Sequence, residues 1–522
     1  VFSPFLLHGV TGSGKTEVYI HAIAETVRRG GRAIYLVPEI ALTPQLVGRL
    51  ESRFAAGQIA VLHSGIGPAL RYDQWRRIER GDAAIVVGAR SAVFAPVRDL
   101  RLLIVDEEHD TSYKQDERMP YNARDLAVVR AQQQGAVVVL GSATPGLQSC
   151  YNTREKEFVY LALTKRVEQR ELPHVEIVDM KGERDPNGKV RPLSRLLVEQ
   201  IGRTLEAKKQ ALLFLNRRGF NTYHYCGDCA HVFRCLNCAV SLTHHLSEGA
   251  LRCHYCDFSV KAPPACPECG GGRILSYGLG TERLASEIQD LFPQARITRM
   301  DSDTTSARGS HERILSALGR GEIDILVGTQ MITKGHDFPD VTLVGVVSAD
   351  TTLNMPDFRA AERTFQILTQ VAGRSGRGEQ PGTVVIQTLN PSHYAIQRTR
   401  EHDFANFYED EIALRRDLQY PPFSRMINLI VSGTAKDQVE KGAARLGQKA
   451  KKLAAGDDVK ARLTVIGPME APLAKVRGRY RWQLLVRGKQ VRPLHAFVRR
   501  LVEGADIPGC EIRVDVDPVN FM

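Results

Sequence analysis

The chain has 522 residues, enough for three or four domains of ordinary size. Hydrophobic residues make up 43% and charged residues 25% of it, and no stretch approaches the roughly twenty apolar residues of a membrane span, so we expect a globular chain. Lys and Arg outnumber Asp and Glu by 70 to 59, a net charge of +11, which favours nucleic acid or another polyanion as partner, with a merely basic soluble enzyme as the alternative.

The first motif is a phosphate-binding loop. Residues 9–16 match G-x-x-x-x-G-K-T between an apolar run, Phe5–Leu7, and a helical pattern from about Thr16 to Arg29. In such a loop Lys15 reaches the β- and γ-phosphates and Thr16 helps to hold Mg²⁺. The loop predicts nucleotide binding by Gly9, Val10, Thr11, Gly12, Ser13, Gly14, Lys15 and Thr16. Since Val1 already lies at the start of this strand pattern, we expect the natural protein to continue upstream.

Short apolar runs alternate with helical stretches over roughly residues 1–160. They predict strands at 33–37, 59–62, 84–87, 102–105 and 137–140. This alternation predicts a parallel sheet covered on both faces, with catalytic groups at the carboxyl ends of its strands.

Two strand ends carry candidate catalytic residues. In the acidic run after strand 102–105, Asp106 is placed to hold Mg²⁺ through water and Glu107 to polarise the attacking water. Its position about ninety residues after the phosphate loop favours this function over an ordinary acidic turn. After strand 137–140, the hydroxyl groups of Gly141–Thr144 are placed to sense the nucleotide. The alternative is that this segment is an ordinary turn at the end of the strand.

These segments resemble motifs I, II and III of the superfamily 2 helicases, and residues 37–43 and 88–94 resemble the DNA-contacting motifs Ia and Ib. An insertion, residues 112–124, resembles an aromatic-rich loop that couples DNA to ATP hydrolysis. Its composition suits stacking on bases and contact with phosphates, although surface residues without such a role are the alternative. The expected DNA contacts are Tyr113, Lys114, Arg118, Tyr121 and Arg124.

A second set of strands follows a turn-rich, charged connection at 182–194. The predicted strands are 210–215, 324–329, 342–347 and 383–387. Residues 328–338 resemble motif V, which implies nucleotide contacts at Gly335 and Asp337. Residues 370–377 resemble motif VI, which implies that Arg374 and Arg377 act as arginine fingers on the γ-phosphate.

Eight of the ten cysteines form four C-x₂-C pairs in one window. This spacing predicts two Cys₄ zinc sites, whereas a disulfide framework would need an oxidising compartment. The short link between Cys229 and Cys235 and the ribbon-like spacing from Cys238 to Cys253 favour a nested arrangement. The inner site would contain Cys235, Cys238, Cys253 and Cys256, and the outer site Cys226, Cys229, Cys266 and Cys269. A crossed pairing is the alternative.

The C-terminal region predicts an α+β domain. Its predicted elements are helices at 401–417 and 437–453 and strands at 426–431 and 482–486. Residues 475–482 interleave cations with aromatic side chains, which suits either a nucleic-acid surface or a solvated basic edge strand.

The zinc insertion between 213–219 and 277–283 identifies the chain as similar to the bacterial primosomal replication-restart helicases of superfamily 2, over essentially its whole length. The resemblance implies RecA-like lobes at 1–160 and 161–397, the zinc module at 224–272 and a C-terminal domain at 398–522. That family carries an N-terminal DNA-binding region, which we expect to lie outside these residues.

The resemblance also implies a function. We expect an ATP-dependent 3′–5′ DNA helicase of stalled or branched replication forks that starts replication restart and primosome assembly, with ATP, Mg²⁺ and two Zn²⁺ as cofactors. The implied partners are single-stranded and branched DNA, single-strand binding protein and other primosome proteins. The resemblance further implies a monomer that acts in the bacterial cytoplasm, at the nucleoid. A duplex translocase and a catalytically dead zinc scaffold are the alternatives.

Overall fold

The structure is a computed structural model that describes residues 2–38, 43–116, 119–155, 158–167, 172–184, 191–216, 224–238, 240–245, 249–256, 258–276, 280–301, 304–305, 309–333, 338–376, 382–456 and 463–521. Its internal contacts divide the chain after Leu172 into two compact units, which we take separately.

The first unit is a parallel α/β lobe. Its elements are β1 (Ser3–Gly9), α1 (Lys15–Arg28), β2 (Arg32–Leu36), α2 (Thr43–Glu51), β3 (Ile59–Leu62), α3 (Pro68–Arg80), β4 (Ile85–Gly88), β5 (Leu100–Asp106), β6 (Lys114–Gln115), β7 (Tyr121–Asn122), α4 (Ala123–Gln134), β8 (Val137–Ser142), α5 (Leu147–Glu155) and β9 (Val159–Leu163).

Seven of these strands form one parallel sheet in the order β3-β4-β2-β5-β8-β1-β9. In the register of β5 with β8, Asp106 lies opposite Gly141. Because β1, β5 and β8 are neighbours and parallel, the three motifs that follow them leave the sheet at one edge. Strand β9 pairs with β1 at the end of the sheet, so residue 160, where we placed the first boundary, falls inside this lobe.

The second unit begins with another α/β lobe that carries the cysteine-rich insertion. Its elements are β10 (His174–Asp179), α6 (Arg195–Glu206), β11 (Gln210–Leu215), β12 (His224–Cys226), β13 (Thr243–His245), β14 (Ala250–Arg252), β15 (Ser259–Lys261), β16 (Ile274–Ser276), α7 (Thr281–Leu291), β17 (Ile297–Met300), α8 (Ser310–Gly319), β18 (Ile325–Gly328), β19 (Val341–Ser348), α9 (Asp350–Leu353), α10 (Ala360–Ala372), β20 (Thr383–Thr388), α11 (Tyr394–Arg400) and α12 (Phe404–Asp417). Six parallel strands make its sheet, in the order β10-β20-β19-β11-β18-β17.

The same unit ends in an α+β domain. Its elements are β21 (Arg425–Gly433), α13 (Lys436–Ala454), β22 (Leu463–Val476), β23 (Arg479–Gly488), α14 (Val491–Val502) and β24 (Glu511–Val516). The antiparallel sheet runs β22-β23-β21-β24, and Leu446 of α13 and Leu494 of α14 belong to the core that it shares with both helices.

The cation-rich segment 475–482 forms the end of the β22–β23 hairpin. The Lys475 ammonium lies 4.6 Å from the centre of the Tyr480 ring, whereas the Trp482 side chain is buried in the core of the domain. Trp482 therefore packs the sheet and does not offer a ring to a base.

The expected fold class is confirmed: two parallel-sheet lobes, a cysteine-rich insertion in the second lobe, and an α+β C-terminal domain. Within the described ranges, no helix combines the length and the apolar character that crossing a membrane requires.

Candidate nucleotide and zinc sites

The phosphate loop lies between β1 and α1, as the sequence predicts. Gly12 and Gly14 adopt φ values of 79° and 87°, a left-handed conformation that side chains other than glycine rarely accept. Helix α1 begins at Lys15, so the free N–H groups of its first turn face the loop. The Lys15 ammonium donates to the Gly9 carbonyl oxygen at 2.7 Å, on the inner side of the loop.

The carboxylate of Asp106 sits at the end of β5 beside this loop. Burial, followed by the charge of Glu107, raises the pKa of Asp106 to about 6, while the nearby Lys15 opposes the rise. Two phenols contact the carboxylate: the hydroxyl of Tyr19 donates to Oδ1 at 3.1 Å, and that of Tyr35 donates to Oδ2 at 3.3 Å. No local pattern singles out either tyrosine, because both lie in ordinary hydrophobic patterns far from residue 106.

Glu107 and its neighbours link the ends of β5 and β8. Glu107 has a φ of 46°, a strained left-handed conformation for a residue with a side chain. The next turn aims His109 at motif III, where its Nδ1 lies 2.7 Å from Ser142 Oγ. A hydroxyl from Gly141–Thr144 is therefore joined to the acidic motif, while the response of this segment to the nucleotide stays a prediction.

Glu108 is structural in this arrangement. Its buried carboxylate accepts from the Gly146 N–H at 2.6 Å and from the Ser149 hydroxyl at 2.7 Å, which anchors the start of α5. Arg124 lies 3.4 Å from the same carboxylate and also pairs with Asp125. A phosphate contact by Arg124 stays a prediction, since two carboxylates already bind its guanidinium.

The structure corrects the expectation for Tyr113 and Lys114. Tyr113 is 1% exposed, and its hydroxyl donates to the carbonyl oxygens of Asp106 at 2.6 Å and Leu36 at 3.1 Å. Its ring has no face open to a base. Lys114 is buried as well, so its ammonium is not presented to a DNA phosphate.

The insertion is fastened to the two segments that resemble motifs Ia and Ib. The Ser112 hydroxyl donates to the Pro38 carbonyl at 2.7 Å, and the Arg90 guanidinium donates to the carbonyls of Ser112 and Lys114. Tyr121 stays a candidate DNA contact: its ring packs edge-on against Phe94 at 5.0 Å, and Phe94 is 47% exposed. Arg118 lies outside the described residues.

A segment after β9 runs along the phosphate loop. The Val10 N–H donates to the Leu163 carbonyl, and the Val167 N–H donates to the Gly12 carbonyl at 3.0 Å. The chain that continues toward the second unit is thus hydrogen-bonded to the phosphate loop just before it leaves the first.

In the second lobe the motif VI turn follows α10. Arg374 lies in this turn, while Arg377, Gly335 and Asp337 lie outside the described residues, so the nucleotide roles of all four stay predictions. Ser375 is fully buried and donates to the Thr342 carbonyl at 2.8 Å, which fixes the turn to β19.

Helix α10, which leads into that turn, is held from two sides. From α12, Arg415 forms a buried ion pair with Glu362 at 2.7 Å. At its other side Arg359 donates to the Pro518 carbonyl at 2.9 Å, and Arg363 donates to the Val519 carbonyl.

The cysteines form the nested arrangement. One group contains Cys226, Cys229, Cys266 and Cys269, the other Cys235, Cys238, Cys253 and Cys256, and within each the sulfurs lie within 4.8 Å of one another. Sulfur pairs of 3.6 Å in the outer group and 3.5 Å in the inner group approach the roughly 3.8 Å that a tetrahedral Zn²⁺ with Zn–S bonds of about 2.3 Å requires. Both groups therefore fit zinc.

All four C-x₂-C turns share one backbone hydrogen bond. The N–H of the first cysteine donates to the carbonyl five residues later, at 2.8 Å each time: Cys226 to His231, Cys235 to Val240, Cys253 to Phe258, and Cys266 to Gly271. The repeat shows that the four turns are built alike.

The inner zinc group is packed into the rest of the unit by Tyr255, which lies between Cys253 and Cys256. Its buried ring lies 4.9 Å from the Phe521 ring and 6.1 Å from the Phe358 ring. The Phe358 N–H donates to the Tyr255 hydroxyl, immediately before α10. The inner group thus contacts the segment that leads into α10, the helix that precedes the motif VI turn.

The sequence matches four family models that together follow this architecture. They are the DEAD/DEAH box helicase at 3–153, the PriA DNA helicase Cys-rich region at 235–261, the helicase conserved C-terminal domain at 268–379 and the primosomal protein N C-terminal domain at 416–519.

Replication restart proteins PriA are similar over 99% of the chain. The protein of Bacillus subtilis is 48% identical and that of Synechocystis 42%, and the chain spans 64% and 62% of their lengths. The protein of Treponema pallidum is 41% identical, with 77% of its length covered. Among solved structures, RecG bound to a three-way DNA junction matches 79% of the chain and 44% of its own, with a TM-score of 0.45 at 16% identity.

Proposed function

The chain belongs to the PriA family of replication restart helicases, and from this premise we propose that it is a DNA-stimulated ATPase that separates DNA strands in the 3′–5′ direction at stalled or branched forks. The observation that carries the proposal is the convergence of the phosphate loop, Asp106 and Glu107 at one edge of the first sheet.

The residues of the first lobe take the following roles. The N–H groups of the phosphate loop and Lys15 bind the β- and γ-phosphates, and Glu107 orients the attacking water. His109 and Ser142 pass a change at the γ-phosphate to motif III, because the two side chains are hydrogen-bonded. Arg374 and Arg377 stabilise the charge that develops on the transferred phosphoryl group.

The oxygen ligands present suit Mg²⁺, which prefers hydroxyl, carboxylate and phosphate oxygens. Thr16 and Asp106 would hold the ion together with the nucleotide. Bound there, the ion would neutralise charge on the β- and γ-phosphates.

The DNA contacts are proposed at the Phe94–Tyr121 pair, because one ring is exposed and the insertion around the other is fastened to Asp106 through Tyr113. The zinc module supports strand separation and the loading of partners, among them single-strand binding protein and other primosome proteins. The protein acts as a monomer in the bacterial cytoplasm.

The test compares ATP hydrolysis by the chain with and without single-stranded DNA. We expect strong stimulation, and loss of hydrolysis with retained DNA binding in Lys15→Ala. Forks with either a 3′ or a 5′ single-stranded arm then report the direction of unwinding. Only the fork that allows movement from 3′ to 5′ along its single-stranded arm should be unwound.

Two outcomes would contradict the proposal. Stimulation of hydrolysis without strand separation on either fork would indicate a duplex translocase. DNA binding with no hydrolysis in the unmodified chain would indicate a nucleic-acid-binding scaffold.

A further inference from the structure

The carboxylate of Asp106 accepts hydrogen bonds from two tyrosines that lie in different elements. Tyr19 comes from the second turn of α1 and Tyr35 from β2, and each donates its hydroxyl to a different oxygen of the carboxylate, at 3.1 and 3.3 Å. Both side chains are buried, and their rings pack edge-to-face with centres 5.5 Å apart. The two rings fix each other and leave the hydroxyls little freedom to turn away.

Tyr35 also connects Asp106 to the phosphate loop. The side chain of Thr16, the last residue of the loop, lies close enough to the Tyr35 hydroxyl to oppose the rise that burial causes in the pKa of Tyr35. The Tyr35 hydroxyl is therefore near the Thr16 side chain and donates to Asp106 Oδ2. Thr16 and Asp106 are the two residues to which we assign Mg²⁺.

Strand β8 has a glycine, Gly141, at the position where the Tyr19 hydroxyl approaches it. A Cβ atom built on Gly141 would lie 1.6 Å from the Tyr19 hydroxyl oxygen and 2.7 Å from its Cζ, where no side chain fits. Gly141 faces Asp106 in the β5–β8 register. Tyr19 can therefore reach Asp106 from α1 only because residue 141 is a glycine.

We propose that Tyr19 and Tyr35 are positioning residues that hold the Asp106 carboxylate for Mg²⁺, and that Gly141 provides the space that Tyr19 needs; the proposal rests on the function proposed above. A phenol suits this role because it is a neutral donor, so it carries no charge that would compete with the ion, and because its hydroxyl is held on a rigid ring. Such donors orient a ligating carboxylate, and their loss typically weakens metal binding about 10–100-fold.

The experiment removes the hydroxyls and keeps the rings. Tyr19→Phe, Tyr35→Phe and the double variant are compared with Tyr72→Phe, a matched control on α3 whose side chain is 64% exposed. Binding of Mn²⁺ in the presence of a non-hydrolysable ATP analogue is measured by electron paramagnetic resonance, and binding of the analogue without divalent metal is measured separately.

We expect the dissociation constant for Mn²⁺ to rise about tenfold in the double variant and to stay unchanged in Tyr72→Phe. Metal-free binding of the analogue should not change. Unchanged Mn²⁺ binding in the double variant, or an equal loss of metal-free nucleotide binding, would overturn the proposal. Since neither readout needs turnover, a chain that fails to hydrolyse ATP would contradict the proposed function and leave this test intact.

A second arm examines the fit between Gly141 and Tyr19. Gly141→Ala should weaken Mn²⁺ binding and lower the unfolding midpoint. Combined with Tyr19→Phe, which removes the atom at 1.6 Å, the alanine should cost less stability than it does alone. Equal costs in the two backgrounds would show that Gly141 does not serve Tyr19.

Discussion

Tyr113 lies in the insertion where the sequence predicts a DNA contact, and its hydroxyl instead holds the carbonyls that end β2 and β5. With Tyr19 and Tyr35, three phenols meet at Asp106, one on its backbone and two on its carboxylate. The acidic motif is thus positioned by neutral hydroxyl donors from three separate segments.

We expect Tyr113→Phe to lower ATP hydrolysis both without and with DNA, because the missing hydroxyl acts at Asp106. Two buried carbonyls lose a donor, which costs about 1–3 kcal/mol of stability. Phe94→Ala and Tyr121→Ala should lower only the stimulation by DNA. Steady-state hydrolysis across a DNA titration separates the two patterns, and a Tyr113→Phe protein with normal basal hydrolysis would contradict the first.

His8, which lies in β1 just ahead of the phosphate loop, should make the first unit sensitive to acid. Burial, opposed by a hydrogen bond to the Ala143 carbonyl and aided by the charge of Lys15, lowers the pKa of His8 to about 4. Because the folded state favours the neutral ring, this contribution is complete above the ordinary pKa of about 6.5 and is lost as the pH falls toward 4.

Between pH 7 and pH 5 the unmodified chain should therefore lose about 2 kcal/mol more than His8→Gln. Urea unfolding of both proteins at the two pH values measures the difference directly. An equal loss in both would show that His8 does not cause the sensitivity.

At the scale of elements, the two zinc groups have different surroundings. The inner group is packed through Tyr255 against Phe358 and Phe521 beside α10, whereas Cys269 of the outer group is exposed. Structural zinc supplies roughly 10–16 kcal/mol to a small module, so loss of either ion should unfold its own turns. Loss of zinc from the inner group should disturb more of the surrounding structure than loss of zinc from the outer group.

We expect metal analysis to give two zinc ions for the unmodified chain and one for Cys235→Ser or Cys269→Ser. Cys235→Ser should lower DNA-stimulated hydrolysis, since Tyr255 no longer supports the start of α10. Cys269→Ser should lower strand separation and spare hydrolysis. Equal hydrolysis in the two variants would show that the inner group is not coupled to the motif VI turn.

Patterns that are local in the chain were predictable. The strand expected at 210–215 is β11, that at 59–62 is β3, and the phosphate loop follows β1, because alternation and glycine spacing act over a few residues. The nested cysteines followed from spacing in the same way. Tyr19, Tyr35 and the burial of Tyr113 were not predictable, since each depends on a partner brought close only by the sheet, and nothing local separates a buried tyrosine from an exposed one.

For the whole molecule, the division after Leu172 has a consequence for separated halves. Each unit contains its own buried clusters, one on the sheet of the first lobe and others in the second unit. We expect residues 1–172 and 173–522 to fold when expressed apart, the first binding nucleotide and the second binding two zinc ions. Neither should hydrolyse ATP if the arginines act as proposed above, because Lys15 and Arg374 then lie on different chains.

Mixing the halves should restore little activity unless they associate, which sedimentation would detect. Hydrolysis by residues 1–172 alone, at the rate of the whole chain, would contradict the role proposed for the arginines of the second lobe.

The bonds from Arg359 and Arg363 to the carbonyls of Pro518 and Val519 join residues 159 and 156 positions apart. At about 5–20 residues per second, a ribosome needs roughly 8–30 s to make the intervening chain. During that interval the nascent protein already carries the phosphate loop and the motif VI turn, yet the two guanidiniums lack their carbonyl acceptors. Helix α10 therefore gains these two carbonyl acceptors only after β24 has been made, so these anchoring contacts form late in synthesis.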